Sequence, residues 1–224
     1  CNPKRVAILG AGIAGAACAR ALIRRGVETV VLEAAPALGA GASGNPAGLI
    51  MPRLDRGGVL REFFLAAYLH AVRDYEALGV FESRGVEERA QSRAAAAFAD
   101  LIADPPLPAD WFTPVGENAA LHARAGLIRP LAAIARMLEG ATLLCDAPVA
   151  AMEQANHGWV LRAPDGRALL KADAIVLACG PALTQFAPAR FLPMVLSRGQ
   201  IEWGEGAAPA RALVQGAQLM SMRL

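Results

Sequence analysis

Gly10, Gly12 and Gly15 stand in the spacing G-x-G-x-x-G, and an acid, Glu33, follows 18 residues after the third glycine. Residues of these types at these intervals can hold a dinucleotide. The first glycine permits a tight strand-to-helix turn, the second lets the main chain approach a pyrophosphate, and the third lets helix and strand pack closely. The opening turn of the helix, with Ile13 and Ala14, offers main-chain N–H groups to the anion. A carboxylate at the end of the following strand, with Ala34 beside it, accepts hydrogen bonds from an adenosine ribose.

The elements that must position these groups can be read around them. Val6-Ala7-Ile8-Leu9 is a short aliphatic strand that stops at the first glycine. A helix is expected from Ile13, with Ala16, Ala17, Ala21, Leu22 and Ile23 on its apolar faces, Arg24 and Arg25 in its last turn and Gly26 as its cap. Val27 to Leu32 then reads as a second strand that delivers Glu33. A glycine-rich turn in an unrelated α/β fold would not require strand, helix, second strand and acid in one register.

The fingerprint alone leaves NAD and FAD open, because both present the same ADP half. After Glu33 comes a long loop of small residues, Ala34 to Leu49, in which main chain can run closely along an extended cofactor. Far downstream, Pro148 to Met152, Gly158 to Ala163 and Ala168 to Ala172 read as a β-meander with turns at Asn156-His157-Gly158 and Pro164-Asp165-Gly166. The apolar strand Ala174 to Ala178 follows and halts at Cys179-Gly180-Pro181.

Together these features resemble the two-dinucleotide-binding-fold flavoproteins. The stretch Gly41-Ala42-Ser43-Gly44-Asn45-Pro46-Ala47-Gly48-Leu49-Ile50-Met51-Pro52 resembles the flavin-facing loop of the D-amino-acid oxidase and glycine oxidase superfamily. That resemblance implies FAD as cofactor and roles beside it for Ser43, Gly44, Ala47, Gly48, Leu49, Val149, Ala178, Cys179 and Gly180. Within the superfamily the chain is most similar to the FAD-dependent oxidoreductase domain of the bifunctional tRNA 5-methylaminomethyl-2-thiouridine biosynthesis family. The loop just quoted carries that likeness, with Arg61-Glu62-Phe63-Phe64 through Tyr75 and Gly126-Leu127-Ile128-Arg129-Pro130-Leu131.

The family resemblance implies oxidation of the C–N bond of a carboxymethylaminomethyl group on the tRNA wobble uridine, then hydrolysis of the imine to the aminomethyl base and glyoxylate. It also implies a fused N-terminal S-adenosylmethionine-dependent methyltransferase, which would account for a chain that begins at Cys1 without Met. A free amino-acid oxidase of the D-amino-acid or glycine type is the alternative reading, and a truncated, non-catalytic nucleotide-binding domain the third. Superfamily members continue past the position of Gln200 into further strands and a Gly-rich segment, so an incomplete flavoprotein is expected. No strong general base is required, and no catalytic role falls to His70, His122 or His157. An arginine is the natural ligand for a substrate carboxylate. Arg198, in Ser197-Arg198-Gly199-Gln200, and Arg53 are the candidates.

The fold class expected is α/β: a Rossmann-like FAD domain with a β-meander over residues 1–80 and 140–190, and a partial α+β substrate domain over 81–139 and 191–224. Helices are expected over Val59 to Leu78, around Ala90 to Ile102 and over Leu131 to Glu139, with a turn-rich stretch from Asp104 to Pro114 and a short strand from Thr142 to Cys145. With 224 residues, 55% of them hydrophobic, the chain can bury a substantial core, which excludes disorder. No apolar run approaches the roughly 18 residues of a membrane span, so no membrane partner is expected. Cys1, Cys18, Cys145 and Cys179 lie far apart without a C-x-x-C pair, so no metal centre is expected; buried free thiols in a reducing, cytoplasmic compartment are. The net charge of +2 demands no nucleic-acid partner. Arg84, Arg89, Arg93, Arg124, Arg129 and Arg136 would make a phosphate-contacting face only if the fold gathered them.

Overall fold

Two compact units make up the chain, Cys1–Asn45 with Pro130–Ile201 and Pro46–Arg129 with Glu202–Leu224. The computed structural model describes residues 3–54, 60–90, 95–196, 199, 201–202, 211–215 and 218–221.

The first unit is built on a parallel sheet. β1 (Arg5–Leu9) leads into α1 (Ile13–Ile23), which returns the chain to β2 (Glu28–Leu32) beside β1 in register Arg5 with Glu28. β7 (Thr142–Leu144) and β11 (Ala174–Leu177) complete the order β11-β1-β2-β7. Val6 to Leu9 and Val30 to Leu32 are almost wholly buried, as befits central parallel strands covered on both faces. α1 turns Gly15, Ala16 and Ala19 inward, and these small side chains let its axis lie close to the sheet. The chain then passes Gly26 at φ 72°, a backbone conformation that costs glycine little.

Between β7 and β11 lies an antiparallel meander: β8 (Ala151–Ala155), β9 (Gly158–Arg162) and β10 (Ala168–Ala172). Its Leu161 and Ala172 join Ala7, Leu9, Val30, Leu32, Ala147 and Phe186 in one apolar cluster. Asp173 ties meander to sheet, its Oδ2 accepting the N–H groups of Lys4 at 2.6 Å and Arg5 at 2.9 Å, and these bonds hold its carboxyl below the usual carboxylate range. α4 (Pro130–Met137) packs beside α1.

The second unit is a mixed sheet of order β13-β12-β4-β6-β3, with β5 on β6. Its members are β3 (Gly48–Ile50), β4 (Phe81–Arg89), β5 (Phe112–Gly116), β6 (Ala119–Ile128), β12 (Ala212–Gln215) and β13 (Gln218–Ser221). α2 (Arg61–Leu78) supplies Tyr68 and Val72, and α3 (Ala95–Ala103) supplies Phe98 and Leu101, to a cluster with Leu107, Phe112 and Ala120. α2 ends where Gly79 takes a left-handed φ of 65° and returns its N–H to the carbonyls of Tyr75 and Glu76.

Several expectations change. The helix foreseen around Ala90 to Ile102 begins at Ala95, while Ala90 continues from β4 with its N–H bonded to the Asn118 carbonyl. The stretch from Phe81 to Arg124, read from sequence as one helix and turns, contains β4, β5 and most of β6. Cys18, Cys145 and Cys179 are free thiols but half-buried rather than buried. His122 on β6 is fully buried; its ring Nε2–H donates to Glu88 Oε2 on β4 at 2.7 Å and its edge meets Phe112. His70 is exposed, 3.7 Å from Asp74, and His157 sits in an exposed turn. Among the described residues no helix is long and apolar enough to cross a membrane. No group of three or more His, Cys, Asp or Glu among them could hold a metal ion.

Candidate nucleotide site

A cavity of about 540 Å³ opens in the first unit at the carboxyl ends of β1, β2 and β11. Main-chain bonds fix that edge: Gly10 N–H donates to the Leu32 carbonyl, Ala178 N–H to the Leu9 carbonyl, and Glu33 N–H to the Leu144 carbonyl, each at 2.8 Å. Gly10 has φ 99°, and a side chain on it would strike the Ala178 carbonyl at 2.6 Å. Gly15 lies directly beneath, where an added Cβ would fall 1.9 Å from the Gly10 carbonyl oxygen. Gly12 is the N-cap of α1 and carries no side chain to cap it. No acidic residue stands in the first turn, so the positive end of the helix dipole meets the cavity without a carboxylate on its own helix.

Glu33 is held from two sides. Its Oε2 accepts the Ala11 N–H at 2.9 Å and its Oε1 the Ala35 N–H at 3.0 Å, so the carboxylate is oriented before any ligand arrives. It is the one charged side chain among the described residues lining the cavity. The loop after it folds back on itself: a 3-10 turn at Ala42–Gly44 brings Ser43 to α1, and Ser43 Oγ accepts the Ile13 N–H at 3.0 Å. Gly44 permits this, because a Cβ there would fall 1.9 Å from the Gly39 carbonyl oxygen.

Gly10, Gly12, Ile13, Ala14, Glu33, Ala34, Ser43, Val149, Ala178, Cys179 and Gly180 all line the cavity. Gly15 and Gly44 lie outside the lining, as packing glycines. Ala47, Gly48 and Leu49 belong to the second unit, the latter two on β3 paired with Ile128 and Leu127 of β6. Arg53 also lies there, its guanidinium carbon 5.4 Å from the centre of the Phe64 ring. Arg198 lies outside the described residues. The cavity wall further includes Ala147, Pro148, Leu183, Gln185, Phe186 and Met194, which sequence reasoning did not single out. Gly180-Pro181 was readable as a stop to the strand; that the 3-10 segment Gly180–Gln185 then turns along the wall had no sequence signal.

A cleft with a glycine cradle at a helix N-terminus and one oriented carboxylate can take a pyrophosphate at the first and a ribose diol at the second. The residues present therefore fit the ADP half of a dinucleotide. Burial pushes the Cys179 thiol up, and this gives a probe of the site. A raised value means less thiolate, so maleimide should label Cys179 slowly at neutral pH and faster as pH climbs beyond the ordinary thiol range. Added FAD should slow it further, while Cys18 and Cys145, which are not in the lining, serve as references in peptide mass spectrometry. Equal Cys179 labelling with and without FAD would count against the site.

The arginines singled out above are mostly neutralised. Arg89 pairs with Glu87 at 2.7 Å, Arg129 with Glu82 at 3.5 Å and Arg136 with Glu139 at 3.4 Å, and Arg93 lies outside the described residues. Arg84 and Arg124 do converge, on Glu76.

Comparison with known proteins places these features in context. The family model described as FAD dependent oxidoreductase matches residues 5–203. The tRNA 5-methylaminomethyl-2-thiouridine biosynthesis bifunctional protein MnmC of Caulobacter vibrioides is 38% identical over 94% of this chain and 37% of its own length. The protein of that name from Thiobacillus denitrificans is 33% identical, over 89% of this chain and 36% of its own. The chain thus spans a little over a third of these relatives. Among solved structures, glycine oxidase from Geobacillus kaustophilus superposes with a TM-score of 0.62 at 21% identity, covering 84% of this chain and 58% of that one. Fructosamine oxidase (Amadoriase II) from Aspergillus fumigatus gives 0.64 at 18%, covering 82% and 50%. These two likenesses concern the fold.

Proposed function

This chain belongs to the FAD-dependent oxidoreductase family, and from that premise we propose that it is the flavin-bearing part of a tRNA-modifying enzyme. Its cofactor is FAD. The reaction proposed is removal of the carboxymethyl group from 5-carboxymethylaminomethyl(-2-thio)uridine at the wobble position, giving the 5-aminomethyl base. The relatives whose names specify 5-methylaminomethyl-2-thiouridine biosynthesis support the substrate class. Their description as bifunctional and their greater length support a companion activity; the methyltransferase proposed for it follows the family resemblance, and tRNA as substrate is in keeping with a cytoplasmic setting.

The observation that carries the cofactor half of this reading is the meeting, in one cavity, of the α1 cradle and the doubly held Glu33. When bound, FAD supplies a two-electron acceptor for the carbon next to the substrate carboxylate. The chain's own residues do the holding. Main-chain N–H groups at the start of α1 would receive the pyrophosphate and Glu33 the adenosine ribose, with Pro148 and Val149 of the cavity wall toward the nucleoside end. Leu183, Phe186 and Met194 give part of the cleft an apolar wall, which offers water no hydrogen-bond partner there. Water is needed only afterwards, to hydrolyse the substrate imine to amine and glyoxylate. Arg53 and Arg198 remain the proposed ligands of the substrate carboxylate.

Anaerobic reduction of the FAD-loaded protein tests the reading. Modified tRNA bearing the carboxymethylaminomethyl group should bleach the flavin bands, with glyoxylate released on turnover, and glycine or D-alanine should not. Rapid bleaching by the free amino acids with none by tRNA would overturn it in favour of an amino-acid oxidase.

A further inference from the structure

We propose that Arg124 of the second unit, braced by Arg84, is a phosphate clamp for the RNA strand. On the sheet, Arg84 of β4 faces Gly126 of β6, but two residues further on Val86 faces His122, so Ala123, Arg124 and Ala125 lie opposite Gly85 alone. Such a bulge breaks the ladder and re-aims the side chain it carries. The Arg124 carbonyl does not go unpaired, because Arg84 Nη1 donates to it at 2.7 Å. Arg84 Nη2 reaches Glu76 Oε1, near the end of α2, at 2.8 Å, and Arg124 Nη1 approaches the same oxygen at 3.4 Å.

Two guanidinium groups therefore share one carboxylate, leaving a local charge of +1. Tyr68 does not offset it, since burial pushes its phenol up to about 12 and keeps it neutral. The neighbouring Arg129 is already matched by Glu82. Aromatic rings stiffen both cations: the Arg84 Cζ lies 3.5 Å from the Phe81 ring centre and the Arg124 Cζ 5.4 Å from that of Trp111, which itself stands edge-on to Tyr68. A purely structural account covers Arg84, which closes the bulge. It does not cover Arg124, whose side chain is 47% exposed and whose ion contact to Glu76 is long. A planar, ring-backed guanidinium with unspent donors suits a phosphodiester oxygen pair better than a lone carboxylate, and arginine beside aromatic surface is the composition that single-stranded RNA engages.

This inference rests on the RNA reading above, and its test separates the two. Anticodon-loop RNA carrying the modified uridine is titrated into the FAD-loaded chain at about 50 to 200 mM salt. Relative to the unaltered protein, Arg124→Ala should weaken binding several-fold and reduce the slope of log K against log salt by about 0.7, one phosphate contact on a single strand. Arg124→Lys should restore the slope but only part of the affinity, because the charge returns without the fork. FAD affinity and thermal midpoint should not move in either variant. If the unaltered protein binds no RNA, the RNA reading falls and this one with it. If it binds RNA and Arg124→Ala binds equally well with the same slope, only the clamp falls. Competition by polyglutamate as strong as by RNA of equal charge would also overturn the clamp.

Discussion

Gly15→Ala should yield a protein that neither retains FAD nor keeps its thermal midpoint. The added Cβ would sit 1.9 Å from the Gly10 carbonyl oxygen and 3.1 Å from its carbon, with Ile8 Cγ2 at 3.4 Å on the far side. None of these is the loose end of a flexible side chain. To reach ordinary contact the start of α1 must move about 1.5 Å away from the end of β1, at a point where Ala7 and Ile8 are fully buried. Overpacking of a close-packed interior costs about 1–3 kcal/mol and at times more, which in a chain of this length lowers the midpoint by about 2–12 °C. The same movement drags the helix N-terminus off the cradle. Gly12→Ala is the instructive contrast. Its φ of −71° suits any residue and its Cβ would meet only the Ser43 side chain, Oγ at 3.2 Å and Cβ at 3.9 Å, so that variant should stay folded while its methyl group narrows the anion cradle. Purification with excess FAD, flavin absorbance and a melting curve distinguish the cases. A Gly15→Ala protein with full flavin content and an unchanged midpoint would overturn the packing argument.

The contrast between the two glycines shows why this part of the molecule was legible in the sequence. Within the first 33 residues the path of the chain is set by short-range geometry: a strand of four or five residues, a turn of fixed length, a helix of three turns and a second strand. Spacing alone carries the register. The second unit offers no such help. β4 reads FESRGVEER, a strand with charges at Glu82, Arg84, Glu87, Glu88 and Arg89, a glycine in its interior and only Phe81 and Val86 as bulky apolar residues, so its period is hidden. The bulge at Arg124 shifts the alternation again on β6. His122 looked like any histidine because its partner, Glu88, lies 34 residues away and only strand pairing brings them together. The cavity shows the same division. The glycines and Glu33 announce themselves, whereas Gln185, Phe186 and Met194 line it because a 3-10 segment follows β11, a matter of tertiary path. Ser43 is intermediate: a resemblance singled it out, but its hydrogen bond to the Ile13 N–H depends on Gly39 and Gly44 touching backbone to backbone.

Glu33→Gln should cost FAD affinity on the order of 10- to 150-fold, equivalent to about 1.5–3 kcal/mol for hydrogen bonds to a charged acceptor. The carboxylate spends one lone pair of each oxygen on the protein, Oε2 on Ala11 N–H and Oε1 on Ala35 N–H, and keeps the rest for a diol. A carboxamide of the same shape has one accepting oxygen. Whichever way it turns, its NH₂ faces one of the two main-chain N–H groups, and it no longer offers two accepting oxygens to a ribose. The size of the effect separates this role from a merely structural one only if a second ligand is measured. FMN carries the isoalloxazine and one phosphate but no adenosine ribose, so its binding, whatever its strength, should be the same in both proteins. Loss of the preference for FAD over FMN, followed by quenching of flavin fluorescence on titration, is the expected signature. Equal weakening of FAD and FMN would mean that Glu33 acts by holding Ala11 and Ala35 in place, and the assignment of the ribose to its carboxylate would then fail.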